Sequence, residues 1–185
     1  MLKGIVRASL ILSLFAVPVK ASSIIADIAL QGLSIQNLID WKIGEKATYD
    51  MDLGFLGKGS VVKEATKEEG NALWISTKAK TPLGEQTADV LIRREDGKIL
   101  KFIVDGKEQE YKEPELELIS READEITVPA GTFKTIHIKA KDKSDDADID
   151  MWANPVDVPL GGIVKNIVVK GFLTITMVLK SFSKV

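Results

Sequence analysis

Trp41-Lys42-Ile43-Gly44-Glu45-Lys46-Ala47-Thr48-Tyr49-Asp50-Met51-Asp52-Leu53 is the stretch that decides the fold class. Trp41, Ile43, Ala47, Tyr49, Met51 and Leu53 fall on one side, and Lys42, Lys46, Thr48, Asp50 and Asp52 on the other, with only Glu45 out of register. A period of two sends successive side chains to opposite faces of a pleated backbone, so the stretch predicts a long half-buried β-strand.

The pattern recurs downstream. Gly54, Gly57 and Gly59 punctuate the chain before Ser60 to Thr66, and Glu68-Glu69-Gly70-Asn71 turns into Ala72 to Lys80. Pro82 and Gly84 precede Gln86 to Arg94. Asp96-Gly97 and Asp105-Gly106 bracket Lys98 to Val104 as hairpin turns, because type I′ turns need positive φ at their centre. Leu116 to Ile119, Glu125 to Val128, Thr132 to Lys141, Ala147 to Ala153, Ile163 to Val169 and Phe172 to Lys180 complete the series. Short turns between neighbouring strands imply antiparallel pairing. An antiparallel sheet of about eleven strands must curl, close or split to deal with its edges. The expected fold is therefore mainly β: an antiparallel, strongly curved, half-open barrel of about eleven strands with one N-terminal helix. A β-sandwich is the alternative.

Upstream of Trp41 the period changes. Ile24, Ile25, Ile28, Ile35, Leu38 and Ile39 recur near helical spacing, with Ser22 or Ser23 as the cap, so a helix is expected over 23–39. Earlier still, Lys3 and Arg7 lead into an apolar run from Leu10 to Val17, then Pro18 and Val19-Lys20-Ala21. Such a run of roughly ten residues is half of what a spanning helix needs and has the form of a cleavable signal peptide, 1–21. The remainder, 22–185, reads as a single domain. Removing Lys3, Arg7 and Lys20 from 25 basic and 27 acidic residues leaves 22 against 27, a net charge of −5. That balance argues against nucleic acid or an anionic membrane surface as partner.

Of the 185 residues none is cysteine and one, His137, is histidine. A thiol nucleophile, a Cys-ligated zinc and a two-imidazole metal site are excluded, and no disulfide holds the fold. The acidic run Asp142, Asp145, Asp146, Asp148 and Asp150 superficially resembles a calcium loop. However, Ala147 and Ala153 stand where the turn glycine and the bidentate glutamate belong, so a solvated hairpin is expected, with weak calcium binding by 142–150 as the alternative. Gly54-Phe55-Leu56-Gly57-Lys58-Gly59 lacks the leading glycine and the hydroxyl residue of a phosphate loop. His137 has no triad-like setting. No catalytic residue, metal or cofactor is assigned, and the expectation is that the chain is not an enzyme.

Val128-Pro129-Ala130-Gly131-Thr132-Phe133 leads into the strand Lys134 to Lys141. Asp148-Ile149-Asp150-Met151-Trp152, Asn154-Pro155 and Val158-Pro159-Leu160-Gly161-Gly162-Ile163-Val164-Lys165 follow. This order, spanning Ile126 to Lys170, resembles exported bacterial proteins of the TapB-like type, which are in turn similar to LolA and LolB lipoprotein-carrier half-barrels. The chain departs from LolB-like proteins in having no anchoring cysteine, and from LolA-like ones in having no evident lid helices between strands. The resemblance implies a curved sheet that binds or carries something apolar at a cell envelope.

Several strands also carry apolar residues on both parities, as in Leu73-Trp74-Ile75 and Phe172 to Leu179. The leading expectation is a soluble periplasmic binding or carrier protein, with secretion as the alternative address. Trp74, Phe102, Met151, Trp152, Leu173 and Ile175 are the expected lining for a lipid or other apolar small molecule, with the helix 23–39 as cover. The competing expectation is a non-enzymatic envelope or pilus-assembly accessory that offers a sheet edge, or the loop 154–162, to a protein partner.

Overall fold

The computed structural model describes residues 39–185. The expected signal peptide, and all of the expected helix except Ile39, lie outside the described residues. Eleven strands follow in chain order: β1 (Lys46–Asp52), β2 (Lys58–Glu69), β3 (Ala72–Thr81), β4 (Gly84–Arg93), β5 (Ile99–Val104), β6 (Lys107–Glu108), β7 (Leu116–Val128), β8 (Gly131–Asp142), β9 (Ala147–Ala153), β10 (Ile163–Lys170) and β11 (Leu173–Ser183). They form one antiparallel sheet in the order β6-β5-β4-β3-β2-β1-β11-β10-β9-β8-β7. The sandwich alternative is thereby excluded, and the sheet is not closed, since β6 and β7 are its two edges.

Curvature follows from connectivity. Flat, an eleven-stranded sheet would hold its edges about 48 Å apart at ordinary strand spacing. Yet the chain leaves β6 at Glu108 and enters β7 at Leu116, a span of under about 30 Å even when fully extended. The sheet must therefore curl until its edges approach.

The turn chemistry works largely as expected. Asp105 and Gly106 both have positive φ, 49° and 77°, and make the tight hairpin between β5 and β6. At Asp96-Gly97 only Gly97 is left-handed, and a wider loop results in which Arg93 N–H donates to the Lys98 carbonyl. Two expected strands, Leu116 to Ile119 and Glu125 to Val128, are parts of the single strand β7, whose middle is exposed on both faces. The short edge strand β6 had not been expected; it restores the total to eleven. The start of β1 also differs from expectation. Gly44 turns the chain at φ 92°, leaving Ile43 49% exposed, while Glu45 is buried.

One cross-strand row shows how the concave face is built. Ile138, Met151, Asn166, Met177 and Met51 are successive partners across β8, β9, β10, β11 and β1, and all five are buried. On the other side of β1 the row Ala47, Lys63, Thr77, Ala88 and Val104 does the same across β2 to β5. The buried apolar residues form two clusters: one around Tyr49, Met51, Met177 and Leu179, the other around Leu73, Ile75, Val90 and Phe102.

Two segments close over this face. The tip of the β7–β8 hairpin runs past the end of β9 and folds onto β11, where Ala130 N–H donates to the Leu179 carbonyl at 3.3 Å and Phe133 lies 6.1 Å from Phe182. That carbonyl sits beside a bulge in the β1–β11 ladder, between Thr48 and Tyr49. The loop 154–162 reaches into the interior with Val158 in the first cluster and Leu160 in the second. Asn154 organises it. Its side-chain oxygen accepts from Val156 and Asp157 N–H, and its amide donates to the Lys134 carbonyl.

Candidate functional site

The concave face is largely apolar, and two of its polar side chains, Lys63 and Glu45, lie along the boundary between the two clusters. Lys63 is 4% exposed, lies between Val61 and Ala65 on β2, and stands across from Ala47 and Thr77 on the strands either side. Among the described residues it has no hydrogen-bond or ion-pair partner. Burial alone pushes its ammonium down from 10.5 to about 8. Glu45 opposes Ala65, to whose N–H its carbonyl is bonded at 2.9 Å, which puts its side chain diagonal to Lys63. No ion pair joins the two, and one Glu45 carboxylate oxygen is buried without a partner.

Two further polar atoms on this face are unsatisfied. The Tyr49 hydroxyl is fully enclosed, and desolvation raises its pKa well above the ordinary 10.0. The side-chain oxygen of Asn166, in a residue 1% exposed, faces the methionine row. Leaving such groups unpaired costs roughly 1–3 kcal/mol apiece, and more for a charge. Glu45, Tyr49 and Asn166 each place such an atom on this surface, which sets it apart from an ordinary core.

The six residues expected to line a cavity separate into two groups. Met151 and Ile175 lie in the first cluster, with Leu173 half-buried against it, and Phe102 lies in the second. Phe102 also stacks edge-on with Tyr111 of the 109–115 connector, 5.7 Å away, and borders a cleft of about 300 Å³ at the β5 edge. By register Trp74 and Trp152 are on the opposite, convex face, although Trp152 is partly buried and also packs against the first cluster. Trp74 is paired with Leu91 beside the inward row Ile75, Val90 and Phe102. Its indole N–H donates to Glu69 at 3.0 Å, and Lys101 sits over its ring. Large aromatics suit either face, because an indole offers an apolar body and a polar handle.

Trp152 belongs to a second constellation, in the outward row Glu122, His137, Trp152 and Lys165. The imidazole of His137 stacks flat on the indole at 4.1 Å, and the Lys165 ammonium caps the other side at 4.9 Å. The Nε2 atom of His137 is 2.7 Å from an Asp150 oxygen, and Nδ1 is 3.3 Å from Glu122. Both ring nitrogens are thus engaged by carboxylates, which leaves neither for a metal or a substrate. The indole N–H of Trp152 donates to Asp124 at 2.8 Å and, with the Glu125 backbone N–H, holds that carboxyl below its usual range.

The acidic run is also occupied by its own chain. Asp142 accepts from the N–H groups of Ser144 and Asp145, Asp145 meets Lys170 at 2.7 Å, and Asp146 meets Lys141 at 2.8 Å. Among the described residues no cluster of His, Asp or Glu is arranged to hold a metal ion, and no helix is long and apolar enough to cross a membrane.

Lys63 and Asn166 were not among the expected site residues. Each is a polar residue at an inward position of an apolar alternation, Val61-Lys63-Ala65 and Val164-Asn166-Val168, and that local signal would have found them.

No protein-family model and no curated protein matches the sequence. Similar chains occur among solved structures. A hypothetical protein from Chlamydia trachomatis superposes with a TM-score of 0.52 at 10% identity, covering 82% of this chain and 92% of its own. A "putative lipoprotein" from Parabacteroides distasonis gives 0.46 at 12% identity over 79% of this chain and 98% of its own. A "putative exported protein" with YmcC-like fold from Bacteroides fragilis gives 0.41 at 12% identity over 78% and 97%. The Chlamydia match, at so low an identity, establishes the shared fold alone.

Proposed function

We propose that this chain is a non-enzymatic envelope protein that binds or carries an apolar, lipid-like molecule on the concave side of its sheet. The observation that carries the reading is the methionine row. The chain has four methionines. Apart from Met1, all of them, Met51, Met151 and Met177, sit in one inward-facing row of an unclosed sheet. Unbranched, polarizable thioethers fill irregular gaps and repack around varied ligands, so concentrating them on one concave surface suits a guest whose shape is not fixed. The signal-peptide reading of 1–21 and the resemblance of Ile126 to Lys170 to exported bacterial proteins support a periplasmic address, with secretion as the alternative.

A second reading rests on β7. This free edge is 13 residues long and exposes Leu118 and Ile119, a surface on which a partner strand could pair. The loop 154–162 suits that role less well, because Val158 and Leu160 turn inward.

Native mass spectrometry of protein purified from its own envelope tests both. A co-purifying lipid-sized mass is the expected result. A stoichiometric protein partner with no lipid would transfer the assignment to the β7 edge, and a bare chain that also takes up no fluorescent fatty acid after delipidation would overturn the carrier reading.

A further inference from the structure

We propose that Lys63 is the anchor for the anionic head of a single-chain amphiphile, carboxylate or phosphate, whose hydrocarbon lies along the concave face. The inference rests on the carrier reading and adds the chemistry of the ligand to it. A buried ammonium without a counter-charge is among the most costly things a fold can hold, and chains ordinarily pair it or expose it. Here it is neither. Lys63 stands on an inward row whose other members, Ala47, Thr77, Ala88 and Val104, carry no charge.

A second donor-bearing side chain stands on the same face, two register positions from Lys63. The Tyr49 side chain stands across from Val61, two residues along the same face from Lys63, and its hydroxyl has no partner. A phenol and an ammonium together offer O–H and N–H donors and no negative charge, which is the complement of an oxyanion. Position agrees with chemistry. Lys63 lies at the seam between the two apolar clusters, so a hydrocarbon tail leaving the head group meets Met51 and Met177 in one direction and Ile75 and Phe102 in the other. The competing account is internal compensation, in which Glu45, an acid diagonal to it on that face, neutralises Lys63 and no ligand is needed.

Displacement of a fluorescent fatty acid by dodecanoate, dodecyl phosphate and dodecanol, on wild type and on Lys63→Met, separates these accounts. Charge-assisted hydrogen bonds of the usual strength give the wild type a preference of about tenfold or more for the two anions over the alcohol. In Lys63→Met that preference vanishes while dodecanol binding stays within about twofold, which also shows the variant folded. The relative affinity of dodecanoate and dodecyl phosphate then names the head group. Equal wild-type affinity for anions and alcohol, or a preference that survives Lys63→Met, overturns the anchor while leaving the carrier reading standing. Failure of all three ligands to displace the probe, or of the probe to bind, overturns both.

Discussion

Replacing Lys63 by methionine should make the protein more stable. The side chain is buried, and its ammonium falls from 10.5 to about 8 through desolvation alone. That difference corresponds to ~3 kcal/mol of destabilisation, present whenever the group is charged in both states. Methionine keeps most of the length and all of the apolar contact of the lysine stem, so Lys63→Met at neutral pH should recover much of that energy, on the order of 2–3 kcal/mol or ~5–10 °C in Tm for a domain of this size. The pH dependence fixes the cause. Between about pH 8 and pH 10.5 the unfolded lysine is protonated and the folded one is not, so the unfolded state binds more protons and wild-type stability rises with pH. The advantage of the variant should accordingly shrink by more than half between about pH 7 and about pH 9.5. Tyr49, which keeps its proton in the folded state, acts in the opposite direction only as pH approaches 10 and above, and the buried acids Glu45 and Asp142 are present in both proteins. Equilibrium denaturation of both proteins at the two pH values is the assay. A variant less stable than wild type at neutral pH, or a difference that does not change with pH, would refute the assignment of Lys63 as a buried, uncompensated cation.

Two other substitutions probe what holds the rest of the site in place. Gly162 has φ 72°, and a Cβ there would stand 2.5 Å from the backbone of Pro155, so Gly162→Ala should cost about 2–4 kcal/mol through strain and displacement of the loop. Denaturation measures the loss, and amide exchange at Asn154, whose N–H donates to the Gly162 carbonyl at 2.7 Å, should accelerate; unchanged exchange would show that the loop is not fixed by that approach. On the convex face, Trp152→Phe keeps a ring against His137 but deletes the indole donor to Asp124, so the Asp124 carboxyl should titrate at higher pH than in wild type, as followed by carboxyl-detected NMR. No upward movement would mean that the indole is not what depresses it.

The strands easiest to read from sequence are those with one face in the core. In β1, β9 and β11 the alternation reports burial on one side and solvent on the other, and hydrogen bonds to both neighbours hold the strand in register. β7 has neither constraint over most of its length. Ser120 to Asp124 is polar at every position but Ala123, because the strand is a free edge with solvent on both faces, and pairing with β8 is all that keeps it extended. No periodicity within such a segment can announce it; the information lies in β8. The two-residue strand β6 is invisible for the same reason.

Absolute facing is harder to read than alternation. The ladders shift register between Ala65 and Lys67, between Thr48 and Tyr49, and between Leu118 and Ser120, and each bulge changes which parity points inward. Apolarity alone could not tell Trp152 from Met151, its neighbour on the same strand, yet one is held outside by His137 and Asp124 and the other lies in the methionine row. Residues that violate the pattern discriminate better. A large aromatic is tolerated on either face, but a lysine at an inward position between Val61 and Ala65 is tolerated on neither account of stability. A residue that is buried at a cost in stability and pairs with nothing among the described residues is a candidate for a functional role. That asymmetry is why the proposed anchor is Lys63 rather than any of the six apolar residues.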